Sequence, residues 1–251
     1  MYDAFHAARA STTLVADLYA EAMGDVYPYE VRASSSCDWP LLGTMISHLR
    51  LRPGQRLVDL GCGTAGAGLW LARALSVHLT GIDISPQAIG LATTRASEFV
   101  PSGRATFHVA SMEATGLPDS HADGAVCVDA LGFAPDRLGA LREMHRVLRP
   151  GARVVLTSGG RRTHPLVPPW PERAAAAGLE LESEEERPGE PEMWRRLYRL
   201  WIARETDLRQ HLGTEQAESM LAEARTRSRT LENRRSVAVT LRRPGDEEAS
   251  S

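Results

Sequence analysis

The sequence predicts an α/β fold built around a mostly parallel sheet, and three observations carry the prediction. Between residues 56 and 158, short β-branched apolar runs alternate with stretches of helical periodicity. A glycine-rich turn joins the first run to the first helix, and an acidic residue closes the second run. The runs are short and predominantly apolar, as strands covered on both faces are.

In chain order, the candidate strands are Arg56–Leu60, His78–Ile82, Ala105–Val109, Gly124–Val128 and Arg153–Thr157. Helices are expected near 66–75, 86–99 and 136–148, the last stopped by Arg149-Pro150-Gly151, where a basic final turn gives way to Pro and Gly. Ahead of this block, 11–23 and 38–50 have the pattern of helices, separated by a polar and aromatic stretch from Tyr27 to Ser36. Behind it, Pro168–Gly178 is a further helix and Leu179–Glu184 a strand, followed by an acidic loop. Trp194, Leu197, Tyr198, Trp201 and Leu208 recur at helical spacing, which predicts one amphipathic helix over 191–211 and another at 215–229. Ser236–Leu241 alternates as a final strand, and Gly245–Ser251 is a polar tail expected to be disordered.

With 251 residues, 43% of them hydrophobic, the chain is long enough for one main core. A net charge of −3 lacks the basic excess that phosphate backbones require, so a nucleic-acid partner is not expected. Every basic side chain other than histidine is arginine. Cys37, Cys62 and Cys127 form neither a CxxC pair nor an even disulfide framework, which fits a reducing compartment. The start lacks a basic, then apolar, leader, and no stretch approaches the roughly 18 apolar residues of a membrane span. The expectation is a cytoplasmic protein without a membrane partner, and a homodimer is the base-rate oligomeric state.

The strongest local signal is Val58-Asp59-Leu60-Gly61-Cys62-Gly63-Thr64-Ala65-Gly66, a strand running into a glycine turn and then a helix. Gly61, Gly63 and Gly66 literally satisfy the dinucleotide pattern, which would set a pyrophosphate at the helix N-terminus. Asp59 weighs against that ligand, because its carboxylate repels a pyrophosphate and suits the ammonium of a methionine tail. The sign of the charge favours S-adenosylmethionine (SAM). Asp83, twenty residues beyond Gly63, is placed to accept both hydroxyls of an adenosine ribose, a contact that serves SAM and NAD equally. The competing role for Asp83 is to cap the helix that begins at Ser85-Pro86.

With these residues in view, the chain resembles the class I SAM-dependent methyltransferases, particularly the small-molecule type of actinobacterial natural-product and antibiotic pathways. The likeness covers roughly residues 40–185. It rests on Asp59 to Gly63, Gly81-Ile82-Asp83-Ile84-Ser85, Phe133-Ala134-Pro135-Asp136-Arg137, Leu141-Arg142-Glu143-Met144, and Arg146 to Gly151. The resemblance implies a Rossmann-like sheet, mostly parallel with an antiparallel last strand. It divides the chain into an N-terminal helical lid (1–50), a SAM-binding core (51–189), a helical cap inserted between the last two strands (190–230), the final strand (231–243) and the tail (244–251). It sets Asp59, Gly61, Cys62 and Gly63 under the methionine part, Asp83 on the ribose and Ile84 on the adenine. Ser111, Met112 and Glu113 would flank the other adenine face and edge. The family usually has Asp where Ser111 stands, so one adenine contact is weakened here.

Methyl transfer from a sulfonium is an in-line displacement that needs alignment and exclusion of water, with a base for a hydroxyl acceptor. Asp129, straight after the fourth strand, lies where a parallel sheet forms its crevice. Related O-methyltransferases often carry histidines shortly after this point, where this chain has Gly132-Phe133, and His164 is the nearest replacement base. No carboxylate cluster of a catechol-type metal site is apparent, and no metal is expected. Tyr29, Phe133, Trp194 and Tyr198 supply the aromatic surface expected to face the substrate. The function read from these residues is methylation of a hydroxyl, or else an amine or carbon, of a small secondary metabolite. The alternatives are a related enzyme that keeps SAM as a scaffold for cyclisation or isomerisation, and a SAM-binding regulator without chemistry.

Overall fold

The computed structural model describes residues 2–161 and 167–245. Its sheet has seven strands: β1 (Arg56–Leu60), β2 (His78–Asp83), β3 (Ala105–Val109), β4 (Ala122–Cys127), β5 (Leu148–Arg161), β6 (Glu180–Glu186) and β7 (Arg234–Arg242). Their order is β3-β2-β1-β4-β5-β7-β6. β1 to β5 pair in parallel, whereas β7 runs antiparallel between β5 and β6. The order reverses beside β1, and such a switch point opens a crevice at the C-terminal ends of the strands.

Ten α-helices are described: α1 (Tyr2–Ala10), α2 (Leu14–Met23), α3 (Trp39–Leu49), α4 (Gly66–Leu75), α5 (Pro86–Arg95), α6 (Arg137–Val147), α7 (Trp170–Ala176), α8 (Glu190–Ala203), α9 (Glu205–Leu212) and α10 (Thr214–Arg227). One sheet face packs on α6 and α7 through Leu141, Met144 and Trp170. The other packs on α3, α4 and α5 through Leu42, Met45, Leu69 and Ala92. A third core, off the sheet, joins α2 to α8, α9 and α10 through Leu18, Tyr19, Leu197, Trp201 and Leu221. The two N-terminal helices expected from the sequence thus split their allegiance, α3 to the sheet and α2 to the cap.

The caps explain several helix starts. Asp38, Ser85 and Asp136 each accept an N–H three residues on, at Leu41, Ala88 and Gly139, which satisfies one orphan donor of the first turn. Other expectations are corrected. The helix expected over 191–211 breaks at Arg204, whose φ of −104° and ψ of 29° leave the helical region and turn Leu208 and Leu212 into the cap core. The helix over 86–99 ends at Arg95 and continues as a single 3₁₀ turn. β4 begins and ends earlier than Gly124–Val128. β5 runs through Pro150-Gly151 instead of starting after it, because Leu148 already pairs with Ala122 before the register jumps to Gly124 and Arg153. α1 adds to the expected elements; its alanine-rich sequence favours a helix. The expected strand Leu179–Glu184 is β6, which runs on through Glu185 and Glu186 of the acidic stretch, and at this sheet edge Glu180 and Glu182 meet Arg242 and Arg153. Most of the proposed tail lies outside the described residues.

Candidate active site

A cavity of about 1810 Å³ lies over the C-terminal ends of β1, β2, β4 and β5, walled by α1, α2 and the cap. That exceeds the roughly 300–1,000 Å³ of a usual small-molecule site, so it has room for two guests side by side.

One half is built on the turn after β1. Gly61 has a φ of +70°, and a Cβ there would stand 2.3 Å from the Ala130 Cβ, so only glycine fits between this turn and the end of β4. Asp59 is 4% exposed and points beneath the start of α4, where it accepts the Gly68 N–H. Gly68 permits the approach, since a Cβ in its place would lie 2.5 Å from Asp59 Oδ2. Burial, reinforced by the nearby Asp83 charge, lifts the Asp59 carboxyl from 3.8 to about 7. A carboxyl so placed gains from a cation in the cavity.

Asp83 ends β2 with its carboxylate fixed by two backbone donors, Gly63 N at 2.8 Å and Ser85 N at 2.9 Å. A carboxylate has about four acceptor positions, so two remain for a diol. Ile84 beside it is 53% exposed, a bare apolar plane at the lip. Beside the Gly61 turn, Met112 and Glu113 line the wall from the loop after β3, and Glu113 Oε1 is buried without a hydrogen-bond partner. The loop is pinned by Glu143, which accepts the Thr115 N–H and hydroxyl at 2.8 and 2.5 Å. Burial alone would raise the Glu143 carboxyl, but Arg146 and Thr115 outweigh it and hold it at about 2.

Of the residues expected to hold a cofactor, Asp59, Gly61, Cys62, Gly63, Asp83, Ile84, Met112 and Glu113 meet at this half of the cavity, whereas Ser111 does not line it. Ser111 instead bridges Ala114 through its backbone in the tight turn that presents Met112 and Glu113. Sequence reasoning missed α1. Its His6 faces Gly63, with burial pushing the imidazole below its usual value against the pull of Asp83, and its Asp3 accepts the Ser85 hydroxyl at 2.5 Å.

The other half lies under the cap. Phe133, Trp194 and Tyr198 line it, joined by Tyr19 and Trp201. Tyr29 is corrected: it is 43% exposed and its hydroxyl donates to Asp17 at 2.8 Å, outside the cavity, because the turn at 28–31 directs it to solvent. His164 lies outside the described residues. Asp129 lines the cavity with a φ of +53°, a strained backbone for a residue other than glycine. Its carboxylate accepts three hydrogen bonds: from Ser36 N at 2.6 Å, the Ser36 hydroxyl at 3.0 Å and the Thr157 hydroxyl at 2.8 Å. Arg187 clamps the same serine, donating to its hydroxyl at 2.7 Å and also to its carbonyl. This network fastens the stretch before α3 to the ends of β4 and β5 and to the entry of the cap. No group of three or more His, Cys, Asp or Glu with metal-ligand geometry occurs among the described residues, and no described helix is long and apolar enough to cross a membrane.

A Rossmann-like sheet with an antiparallel β7, a glycine turn after β1 and an acid at the end of β2 defines the class I methyltransferase fold. Comparison with known proteins agrees: residues 58–156 match the family model described as a methyltransferase domain. An O-methyltransferase of Aspergillus nomiae is 36% identical over 115 residues, 46% of this chain and 50% of that protein. The 27-O-demethylrifamycin SV methyltransferase of Amycolatopsis mediterranei is 37% identical over 108 residues, 43% of this chain and 40% of that one. The chain spans half or less of the length of these curated relatives. Among solved structures, the cyclase SpnF superposes with a TM-score of 0.73 at 23% identity, covering 92% of this chain and 93% of that one. The likeness is thus not confined to the actinobacterial type.

Proposed function

We propose that the protein is a cytoplasmic SAM-dependent methyltransferase that methylates a hydroxyl of a small secondary metabolite. The observation that carries this reading is the pair of carboxylates about the Gly61 turn, Asp59 beneath it and Asp83 at its lip, under a cavity large enough for cofactor and acceptor together. Asp59 already occupies the N-terminus of α4, where a dinucleotide would set its pyrophosphate, so the charge argues for an ammonium. The residues present fit SAM. Asp83 offers acceptors to the ribose hydroxyls, Ile84 and Met112 supply apolar surface for an adenine ring, and the orphaned Glu113 Oε1 needs the kind of donor that an adenine amine supplies.

SAM when bound supplies a methyl group on a cationic sulfonium. The chain's part is to hold the acceptor in line and keep water out, which is the role assigned to α1, α2 and the cap helices. Asp129, with one acceptor position of Oδ2 left over, orients the acceptor hydroxyl, and His164 after β5 takes its proton. One observation favours a second reading, in which SAM is a scaffold for ring closure: three hydrogen bonds already commit Asp129 to structure. Incubation with methyl-labelled SAM and hydroxylated aromatic or polyketide acceptors separates the two. Labelled product with one S-adenosylhomocysteine (SAH) per turnover supports methyl transfer; converted substrate without SAH supports ring closure and overturns it.

A further inference from the structure

Among the described residues, two buried side-chain polar atoms have no hydrogen-bond partner, Glu113 Oε1 and Trp201 Nε1, and both residues line the one large cavity. A buried donor left unmade is costly, and native proteins leave few of them. The contrast with its neighbours on α8 is informative. Trp194 donates its indole N–H to Glu190 at 2.7 Å, and Tyr198 donates its hydroxyl to Glu223 at 3.0 Å. Trp201, 2% exposed, keeps its donor unspent.

The surroundings say what would take it. Tyr19, Trp194, Tyr198 and Trp201 form a chain of aromatic contacts with centroid separations of 6.1, 5.6 and 5.4 Å, a wall for a broad apolar body. The arginines beside it are engaged by the protein: Arg234 pairs with Glu190 at 2.8 Å, Arg227 with Glu223 at 3.5 Å and Arg235 with Glu184, while Arg9 lies over the Phe5 ring and is held by Tyr19 and Glu223. On this aromatic wall, the Trp201 N–H is the donor that the protein leaves unpaired. An indole N–H donates and never accepts, so its partner is an oxygen with a free lone pair.

We infer that Trp201 is a specificity-determining binding residue, whose indole N–H donates to a carbonyl or hydroxyl oxygen on an uncharged, largely apolar acceptor, at a point distant from the oxygen that is methylated. The inference rests on the proposed two-guest cavity. It assigns the cap a chemical selection that an apolar stripe alone does not make, since a site built around a hydrogen bond discriminates strongly against an analogue that lacks it.

The test uses the SAH-saturated protein and two probes, 2,7-dihydroxynaphthalene and 2-naphthol, which differ in the distal oxygen. By calorimetry, wild type should bind the diol about tenfold more tightly, and Trp201→Phe should bind both alike with unchanged SAH affinity. Ile202→Ala, on the exposed side of the same helix and outside the cavity, should keep the preference for the diol. In ¹⁵N-labelled wild type, the indole N–H resonance that is missing from Trp201→Phe should move downfield with the diol and stay in place with 2-naphthol. Equal affinity of wild type for the two probes, no binding of either, or an unmoved indole resonance overturns the inference. Binding of the diol through Trp201 with no labelled product leaves the inference standing and counts against methyl transfer instead.

Discussion

Replacing Asp59 with Asn tests whether the floor of the site stores an unfavourable charge that a cationic ligand relieves. The folded carboxyl titrates at about 7, against 3.8 for an unperturbed one, because it is buried and faces the Asp83 charge. A folded value raised above the unfolded one makes stability greatest below the unfolded value and loses it as pH rises through the folded value. The lift corresponds to roughly 4 kcal/mol, removed from the ligand-free protein between about pH 4 and pH 7 and constant above that. An asparagine side chain in its place carries no charge and escapes this loss, although its amide leaves a donor to satisfy at a cost of about 1 kcal/mol. Urea unfolding at pH 5, 6, 7 and 8 should therefore show wild type losing stability relative to Asp59→Asn across this range. SAH affinity should move the other way in wild type, rising about tenfold from pH 6 to pH 8 as Asp59 ionises to meet the ammonium, and should be flat in the variant. Parallel stability curves, or an SAH affinity in wild type independent of pH, would refute the reasoning.

Four further substitutions address the rest of the site. Asp83→Ala removes two charge-assisted hydrogen bonds to a ribose, each worth about 1.5–3 kcal/mol, and should weaken SAH at least tenfold by calorimetry, while NAD fails to compete in wild type. Gly61→Ala drives a Cβ to 2.3 Å from that of Ala130 at a φ of +70° and should cost about 1–3 kcal/mol in thermal unfolding together with SAH binding; an unchanged melting temperature would show that the turn yields. For a hydroxyl acceptor, His164→Ala should lower turnover by about 10²–10⁴ with SAH affinity preserved, whereas Asp129→Asn should cost less in rate yet destabilise the fold, because it replaces an oxygen among the Ser36 and Thr157 donors. A rate untouched by His164→Ala at every pH would exclude the histidine.

The sequence by itself determined the parts that short-range physics dictates. β1, β3 and α4 begin and end where apolar runs, helical periodicity and the glycine turn place them. Asp59 and Asp83 were legible as a pair because both stand at fixed positions relative to that turn, and both line the cavity. What only the tertiary structure decided depends on contacts between distant segments. Ser36 and Arg187, 151 residues apart, meet to hold the Asp129 carboxylate, and no local pattern records that meeting. Tyr29 and Trp201 are both aromatic residues in predicted covering segments, yet one turns to solvent beside Asp17 and the other is buried at the cavity wall with its indole N–H unpaired. Ser111 has the position of an adenine contact in the motif, but the turn that pairs it with Ala114 presents Met112 and Glu113 to the cavity in its place. Periodicity tells which side of an element is apolar; which of those side chains meets a ligand is set by how separately folded elements rotate against one another when their faces pack.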